Sequence, residues 1–178
     1  MSTGDSKISP DYKLLAAQVT ALAADTPTKT ALLANVSALL NEALVDINWV
    51  GFYEVKNHEM TLGPFQGKVA CVKIPYGKGV CGTAWAEEKT IRVPDVHAFA
   101  GHIACDSASN SEIVLPIFRA VCTDAPDRTD ANGNHQGDHH KEVIFVLDID
   151  SPLKDRFSEE DEKGLALVCN VLEQALNR

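Results

Sequence analysis

The five cysteines of the sequence have neighbours that separate chemical from structural roles. They are Cys71, Cys81, Cys105, Cys122 and Cys169. Cys105 stands in a long connection beside His102 and Asp106, where polar neighbours can set its thiolate fraction. Cys169 continues an apolar stripe at helical spacing and Cys122 ends a strand pattern, so we interpret both as structural. The setting of Cys105 predicts a reactive thiol.

Metal binding is the other chemistry that these cysteines could serve. Cys71, Cys81 and Cys105, together with His97 and His102, offer donors for zinc. Structural zinc sites usually include a Cys-x-x-Cys pair, and the sequence has none. We therefore expect no metal site.

Acidic residues follow an apolar strand pattern near the C-terminus. On a strand, Ile144, Val146, Asp148 and Asp150 share one face, and the two carboxylates lie roughly 7 Å apart. Buried carboxylates need a partner, which a cationic group such as an α-amine could supply. If the strand ends at Leu147 instead, both aspartates lie in a solvated turn. The pattern alone leaves both interpretations open.

Glu112 and two aromatic residues extend this candidate site. Glu112 immediately precedes a strand pattern at residues 113–121. Trp49 and Tyr53 share a strand face with Gly51 between them, which predicts room for a ligand over the glycine. An aromatic pair at this spacing is also typical of a protein core, so binding and packing roles are both open.

Hydrophobic periodicity predicts the elements that must position these residues. Helical spacing predicts helices at residues 11–24, 26–44 and 158–176, with Thr26 as N-cap and Pro27 as first residue of the second helix. Alternation predicts strands at residues 47–55, 60–62, 69–74, 91–93, 113–121 and 143–149. Cys81 lies in a glycine-rich loop, residues 77–82, that opens a short helix. The order predicts an α+β fold, with an antiparallel sheet of about six strands, the N- and C-terminal helices on one face and a pocket on the other.

Composition limits the class of partner and the domain organisation. The 16 basic and 25 acidic side chains give a formal charge of −9, which argues against nucleic acid and anionic membranes as partners. The polar N-terminus and the lack of a long apolar run predict a cytoplasmic protein. We expect residues 1–9 to be disordered and residues 10–178 to form one domain. A polar stretch at about residues 122–141 predicts a mobile insertion.

Seven segments of the sequence form a recognisable set: INWVGFY (47–53), LGPFQGKVAC (62–71), GKGVCGT (77–83), VPDV (93–96), GHIACD (101–106), SEIVLP (111–116) and LDIDSP (147–152). Together they resemble the free methionine-(R)-sulfoxide reductases, a family built on a single GAF domain. The chain departs from the family at residues 122–141, which exceed the hairpin expected there, and at Phe145, where glycine is usual.

The resemblance implies the reaction and the part of each cysteine in it. Free L-methionine-(R)-sulfoxide gives its oxygen to Cys105, which becomes a sulfenic acid. Cys71 is implied as the principal resolving cysteine and Cys81 as an auxiliary one, so that a disulfide forms. The family also implies thioredoxin as reductant, a homodimer and no metal or organic cofactor.

The acidic and aromatic residues gain roles by the same resemblance. Glu112, Asp148 and Asp150 are implied to hold the amine and the sulfoxide of the substrate, with Glu112 and Asp150 also acting in catalysis. Trp49 and Tyr53 are implied to shape the pocket. Carboxyl groups that share a pocket raise each other's pKa, so one can stay protonated as a general acid for the sulfoxide oxygen. The alternative function is a non-enzymatic GAF module that senses a small ligand or a redox state.

Overall fold

The computed structural model describes residues 10–101, 108–122 and 139–178. Its helices are α1 (Tyr12–Asp25), α2 (Lys29–Ala43), α3 (Gly79–Glu87) and α4 (Glu159–Leu176), with a short 3-10 helix at Val96–Ala98. Its strands are β1 (Trp49–Lys56), β2 (Glu59–Gly67), β3 (Lys73–Ile74), β4 (Ile91–Val93), β5 (Ser111–Cys122) and β6 (His139–Ser151). They form one antiparallel sheet in the order β3-β2-β1-β6-β5-β4.

The helices α1, α2 and α4 lie on one face of this sheet, as predicted, with α2 and α4 against the strands and α1 packed on α4 and α2. Val36 of α2 and Leu172 of α4 are fully buried in the same apolar cluster as Phe52 and Ile149 of the sheet. Burying a side chain of this size contributes about 1.5–3 kcal/mol. We call this cluster the helix-side core. The opposite face carries α3, and we call it the site face.

The α4 helix is defined at its N-terminus by a capping box. The Ser158 side chain accepts a hydrogen bond from the Asp161 N–H at 3.1 Å, and Asp161 accepts one in return from the Ser158 N–H at 2.7 Å. These bonds satisfy N–H groups that a helix start otherwise leaves without partners.

No helix of the described ranges has the length and apolar character needed to cross a bilayer.

The N-cap of α2 is Thr28, so the prediction of Thr26 was wrong. The Thr28 side chain accepts a hydrogen bond from the Ala31 N–H at 3.2 Å. Thr26 belongs to the end of α1, where its hydroxyl donates to the Leu22 carbonyl at 2.6 Å. Because α1 continues to Asp25, Pro27 lies in the connection and not in the first turn of α2.

The third strand is shorter than the predicted range 69–74, because only Lys73 and Ile74 pair with β2. β2 ends at Gly67, whose φ of +133° is a backbone conformation that favours glycine. Val69 and Val72 are 88% and 67% exposed. These two valines therefore face solvent, whereas Ile74 of the paired part is buried, so the alternation predicted too long a strand.

A β-bulge in β6 moves Ile144 to the helix-side core. The register of the β5–β6 pairing shifts between Ile117 and Phe118 and passes over Ile144. Val146 lies on the site face. The predicted common face for Ile144, Val146 and the two aspartates is therefore wrong for Ile144, because one extra residue inverts strand alternation.

The strands β5 and β6 form a long hairpin whose pairs run from Ser111 opposite Ser151 to Cys122 opposite His139. Residues 139–141, which belong to the predicted insertion, therefore pair with β5. Residues 123–138, the rest of that insertion, lie outside the described residues, as do residues 1–9. The predicted mobility of the insertion and disorder of the N-terminus stay predictions.

Candidate active site

Three acidic residues gather where β5 and β6 meet. Glu112 pairs with Asp150, and Asp148 pairs with Val114 two positions further along. Because β6 continues to Ser151, both aspartates lie on a strand and not in a solvated turn. Residues opposite each other across antiparallel strands share a face, so all three carboxylates lie on the site face.

Cys81 approaches these carboxylates from α3. Its Sγ donates a hydrogen bond to Glu112 Oε1 at 3.9 Å, and the residue is only 4% exposed. Gly82 lets the segment that precedes α3 fold closely against the helix, since a Cβ there would lie 2.4 Å from the Pro75 carbonyl oxygen. Cys81 is therefore a buried residue of the first helical turn, which corrects its predicted place in a glycine-rich loop.

Burial and mutual repulsion favour the protonated forms of this cluster. Burial raises the pKa of Glu112 well above its usual value, and the charges of Asp148 and Asp150 raise it further. Burial raises the pKa of Asp148 to about 6, although hydrogen bonds from Cys81 and Glu112 oppose the shift. Burial, followed by the charges of Asp148 and Glu112, also raises the pKa of the Cys81 thiol. The cluster can therefore retain a proton for a general acid near neutral pH.

One atom of the cluster lacks a hydrogen bond. Asp148 is 6% exposed, and its Oδ1 has no hydrogen-bond partner among the described residues. Buried polar atoms are nearly always hydrogen-bonded, because an unmade bond costs about 1–3 kcal/mol. This oxygen therefore indicates where a ligand donor can bind.

Trp49 and Tyr53 are buried on the site face, beside the carboxylates. Trp49 lies opposite Asp150 across β1 and β6, and its ring stacks on Tyr53 with centroids 5.9 Å apart. The predicted room over Gly51 is filled, because a Cβ there would lie 2.6 Å from the Trp49 ring and 2.3 Å from Phe65 Cβ. Both aromatic residues thus pack a core, and the glycine makes room for the indole instead of a ligand.

Phe65 is a member of this site that the sequence interpretation missed. Its ring stacks on Trp49 at 5.3 Å, and it pairs with Gly51 across β1 and β2. The Trp49 Nε1 donates to the Lys68 carbonyl at 3.1 Å, so the indole also holds the segment that leads to Cys71. The one sequence signal that could have indicated Phe65 is the family resemblance of the segment 62–71.

The cysteines divide into bonded and free groups. Cys71 is disulfide-bonded, whereas Cys81 and Cys169 carry free thiols. Cys169 lies in the helix-side core, which confirms its structural interpretation. Cys105, the predicted nucleophile, lies outside the described residues together with His102 and Asp106.

The connection that contains Cys105 is anchored at the acidic end of the sheet. The Val96 N–H donates to the Asn110 carbonyl at 3.0 Å, and the Asn110 N–H donates to the Ser151 carbonyl at 2.7 Å. The Asn110 side chain also donates to the Pro152 carbonyl at 2.8 Å and bonds the ring of His97. The start of this connection at Val96 is therefore bonded to its end at Asn110, two residues before Glu112.

A possible metal donor set differs from the one considered in the sequence. The predicted set included Cys105 and His102, which lie outside the described residues, and His97, which is exposed. Within the described ranges, ligand atoms of Cys81, Glu112 and Asp148 all lie within 4.8 Å of one another. The site face thus brings one thiol and two carboxyl groups into ligand spacing.

Comparison with known proteins identifies the family. No protein-family model matches the chain. It is 49% identical over 156 residues to the free methionine-R-sulfoxide reductase of Escherichia coli strain K12, covering 88% of this chain and 82% of the relative. The reduced form of fRMsr of Staphylococcus aureus superposes with a TM-score of 0.79 at 46% identity, covering 95% and 97% of the two chains. A structure described as the GAF domain gives a TM-score of 0.75 at 34% identity, over 92% and 86%.

These similarities extend over most of each chain and include both sequence and fold. They confirm the predicted α+β architecture with a six-stranded antiparallel sheet. The chain belongs to the free methionine-R-sulfoxide reductase family and has its GAF fold.

Proposed function

We propose that this chain reduces free L-methionine-(R)-sulfoxide to L-methionine, with Cys105 as nucleophile. The observation that carries the proposal is the cluster of Glu112, Asp148 and Asp150 at one end of the sheet. Such a cluster can bind an ammonium group and hold a proton, and reduction of a free amino-acid sulfoxide needs both. The name of the Escherichia coli relative and a Staphylococcus aureus fRMsr complex with substrate support the same substrate.

Selectivity for the free amino acid follows from charge. The α-ammonium group of the substrate would lie against Asp148 and Asp150, with Asp148 Oδ1 as one acceptor. A buried carboxylate near this cation is favourable, whereas a neutral peptide nitrogen would leave it unpaired. Trp49 and Tyr53 would bound the pocket for the side chain.

Glu112 is the group that we assign as general acid. Its raised pKa keeps it protonated, so it can donate to the sulfoxide oxygen as the Cys105 thiolate attacks the sulfur. The oxygen passes from the substrate sulfur, which is reduced, to the Cys105 sulfur, which is oxidised to a sulfenic acid. Methionine then leaves. Asp150 lies opposite Glu112, and we assign it to accept or return protons in this step.

Recovery of the thiol requires a second cysteine and a reductant. We assign Cys71 as the resolving cysteine, and its disulfide-bonded state supports this role. Its thiol condenses with the sulfenic acid, releasing water and forming a Cys71–Cys105 disulfide. Cys81 is the weaker candidate, because it is buried and its raised pKa disfavours the thiolate. Non-reducing peptide mapping after one turnover should recover Cys71 linked to Cys105.

A thioredoxin-type dithiol protein is the reductant that we assign. Val69 and Val72 flank Cys71 and are exposed, so an apolar partner surface can reach the disulfide. Val69→Glu should lower thioredoxin-driven kcat/KM several-fold and leave dithiothreitol-driven turnover unchanged. Leu167→Glu, a similar change at an exposed position of α4, is the matched control. Equal loss with both reductants, or equal loss in the control, would contradict this docking role.

The proposed function is tested with three substrates under dithiothreitol. We expect methionine from the free (R)-sulfoxide, none from the (S) epimer and at least a hundredfold lower rate from the N-acetylated (R)-sulfoxide. An unpaired buried charge costs roughly 3–5 kcal/mol, which is the reason for the last expectation. Cys105→Ser should abolish turnover, and Cys169→Ala, which removes a thiol of the helix-side core, should keep it.

Two outcomes would contradict the proposal. They are comparable rates on the N-acetylated substrate and a tenth or more of wild-type turnover in Cys105→Ser. Binding of the sulfoxide without any methionine would favour the alternative, a GAF module that senses a ligand. The homodimer and the cytoplasmic location stay predictions, and light scattering of the purified protein checks the first.

A further inference from the structure

The cluster of Cys81, Glu112 and Asp148 has the composition and spacing of a zinc site. The three residues are 4%, 6% and 6% exposed, and their ligand atoms lie within 4.8 Å of one another. Zinc binds thiolate sulfur at about 2.3 Å and carboxylate oxygen at about 2.0–2.2 Å in a tetrahedron. Those bond lengths place the sulfur and oxygen ligands about 3.6 Å apart. The observed distance from Cys81 Sγ to Glu112 Oε1 is 3.9 Å, so little movement is needed.

A second observation points independently to a ligand at this place. Asp148 Oδ1 is buried and has no hydrogen-bond partner among the described residues. A cation at the cluster would satisfy this oxygen and would also offset the repulsion between two neighbouring carboxyl groups. The site therefore combines ligand spacing with an acceptor that needs a donor or a metal ion.

We propose that the reduced protein binds one thiophilic divalent cation, Zn²⁺, through Cys81, Glu112 and Asp148. The metal replaces the thiol proton and any proton that the carboxyl groups share, and these protons pass to solvent. A water molecule completes the tetrahedron. The sulfur ligand selects zinc over Mg²⁺ and Ca²⁺, because those ions prefer six or more oxygen ligands.

The consequence for activity rests on the proposed function. Zinc would occupy the same carboxyl groups that the substrate uses, so metal and sulfoxide would compete. The cation would act as a reversible inhibitor of a site that turns over without it. Binding itself does not depend on the reaction, and the two proposals can fail separately.

The test is a titration of the reduced, full-length protein with Zn²⁺ against a chromophoric chelator. We expect one equivalent to bind, with affinity at least a hundredfold weaker in Cys81→Ser and in Asp148→Asn. Cys169→Ser is the matched control, because it alters a buried free thiol in the helix-side core. Cys71→Ser tests whether the other site cysteines bind the metal instead. Both controls should keep wild-type affinity, and Mg²⁺ in large excess should not compete.

Cobalt substitution gives a readout that does not depend on a variant folding. Co²⁺ bound to the wild-type protein should show a thiolate-to-metal charge-transfer band, and Asp148→Asn should weaken it. The inference is overturned if this band is missing, if Cys81→Ser keeps zinc affinity, or if Cys71→Ser loses it. Zinc binding by a protein that leaves the sulfoxide unreduced would overturn the proposed function alone. Turnover without zinc binding would overturn the zinc site alone.

Discussion

Asp161 and Asp148 are two aspartates of nearly equal burial, 5% and 6% exposed. The surroundings of Asp161 lower the pKa of its carboxyl group, whereas those of Asp148 raise it. Asp161 lies at the start of α4, where Tyr12, Arg156 and Ser158 all donate hydrogen bonds to it. Burial alone would raise the pKa of Asp161, but the bonds from Ser158 and Tyr12 and the charge of Arg156 outweigh burial and lower it. On the site face, burial dominates and raises the pKa of Asp148 to about 6.

The difference separates a carboxylate that is fully hydrogen-bonded within the fold from one that is only partly so. Four hydrogen bonds from these three residues join α1 to α4 and satisfy both carboxylate oxygens of Asp161. Asp148 keeps one oxygen without a partner among the described residues. A buried charge that is left incompletely satisfied costs stability, and binding sites commonly bear this cost.

The largest effect should follow from removing the charge at Asp161. Asp161→Asn leaves Arg156 buried without a counter-charge, and a broken buried ion pair costs about 3–5 kcal/mol. Urea denaturation should show this loss, while turnover per folded molecule stays within twofold of wild type. Glu59→Gln breaks an exposed ion pair with Lys73 and is the control, with an expected change below about 1 kcal/mol. If the Asp161 variant were as stable as this control, Asp161 would not stabilise the fold in the way that distinguishes it from Asp148.

Asp148→Asn should have the opposite effects: a loss of activity without a loss of stability. We expect kcat/KM for the free sulfoxide to fall by at least a hundredfold, about 3 kcal/mol in transition-state stabilisation, because the ammonium loses a charged acceptor. The free energy of unfolding at pH 7 should be unchanged or higher, since a buried carboxylate becomes a neutral amide. Parallel kinetics and denaturation of the same preparation check both expectations. If the variant lost stability but kept activity, Asp148 would stabilise the fold and would not bind the substrate.

The two aspartates should also have opposite pH dependences of stability. Asp148 has a raised pKa, so the native state holds its proton longer and stability falls as pH rises from about 4 to about 6. Asp148→Asn should therefore gain on wild type across this window, by up to about 3 kcal/mol. Asp161 has a lowered pKa, so its contribution is complete above about pH 4 and is lost at lower pH.

Denaturation curves of wild type and both variants between pH 3 and pH 7 test this mirror relation. The gap between wild type and Asp161→Asn should narrow as pH falls below about 4, where the native carboxyl group also becomes protonated. Asp148→Asn should exceed wild type in free energy of unfolding, and this difference should be smallest at the same acidic limit and largest near neutrality. The two differences should have opposite signs near neutral pH, and differences of the same sign would show that the two environments do not differ as described.

Much of the fold could be predicted because local patterns decide it. The apolar stripe that predicts α4 is a local feature, and the structure buries it in the helix-side core. The predicted α2 cap failed by two residues, because Thr26 and Thr28 are both suited to a cap and only the length of α1 decides between them. The exposed valines near Cys71 misled for a similar reason, since alternation does not report whether a partner strand is present.

The candidate site could be predicted in its residue types but not in its arrangement. Family resemblance indicated Cys71, Cys81, Glu112 and the aspartates. It did not predict that Cys81 is a buried helix residue bonded to Glu112, or that Phe65 completes the aromatic stack. Both contacts depend on the register between strands and on how closely α3 packs, which sequence spacing does not contain.

By itself the sequence determined the α+β class, the α4 helix, the two candidate aspartates and the family, because each depends on residues close together in the chain or on whole motifs. Only the tertiary structure decided that Glu112 lies opposite Asp150 and that Cys81 donates to Glu112. Only the tertiary structure, likewise, showed that the pKa of Asp148 is raised and that of Asp161 is lowered. The physical reason is that a pKa depends on the burial and charges around a group, and residues distant in sequence supply both.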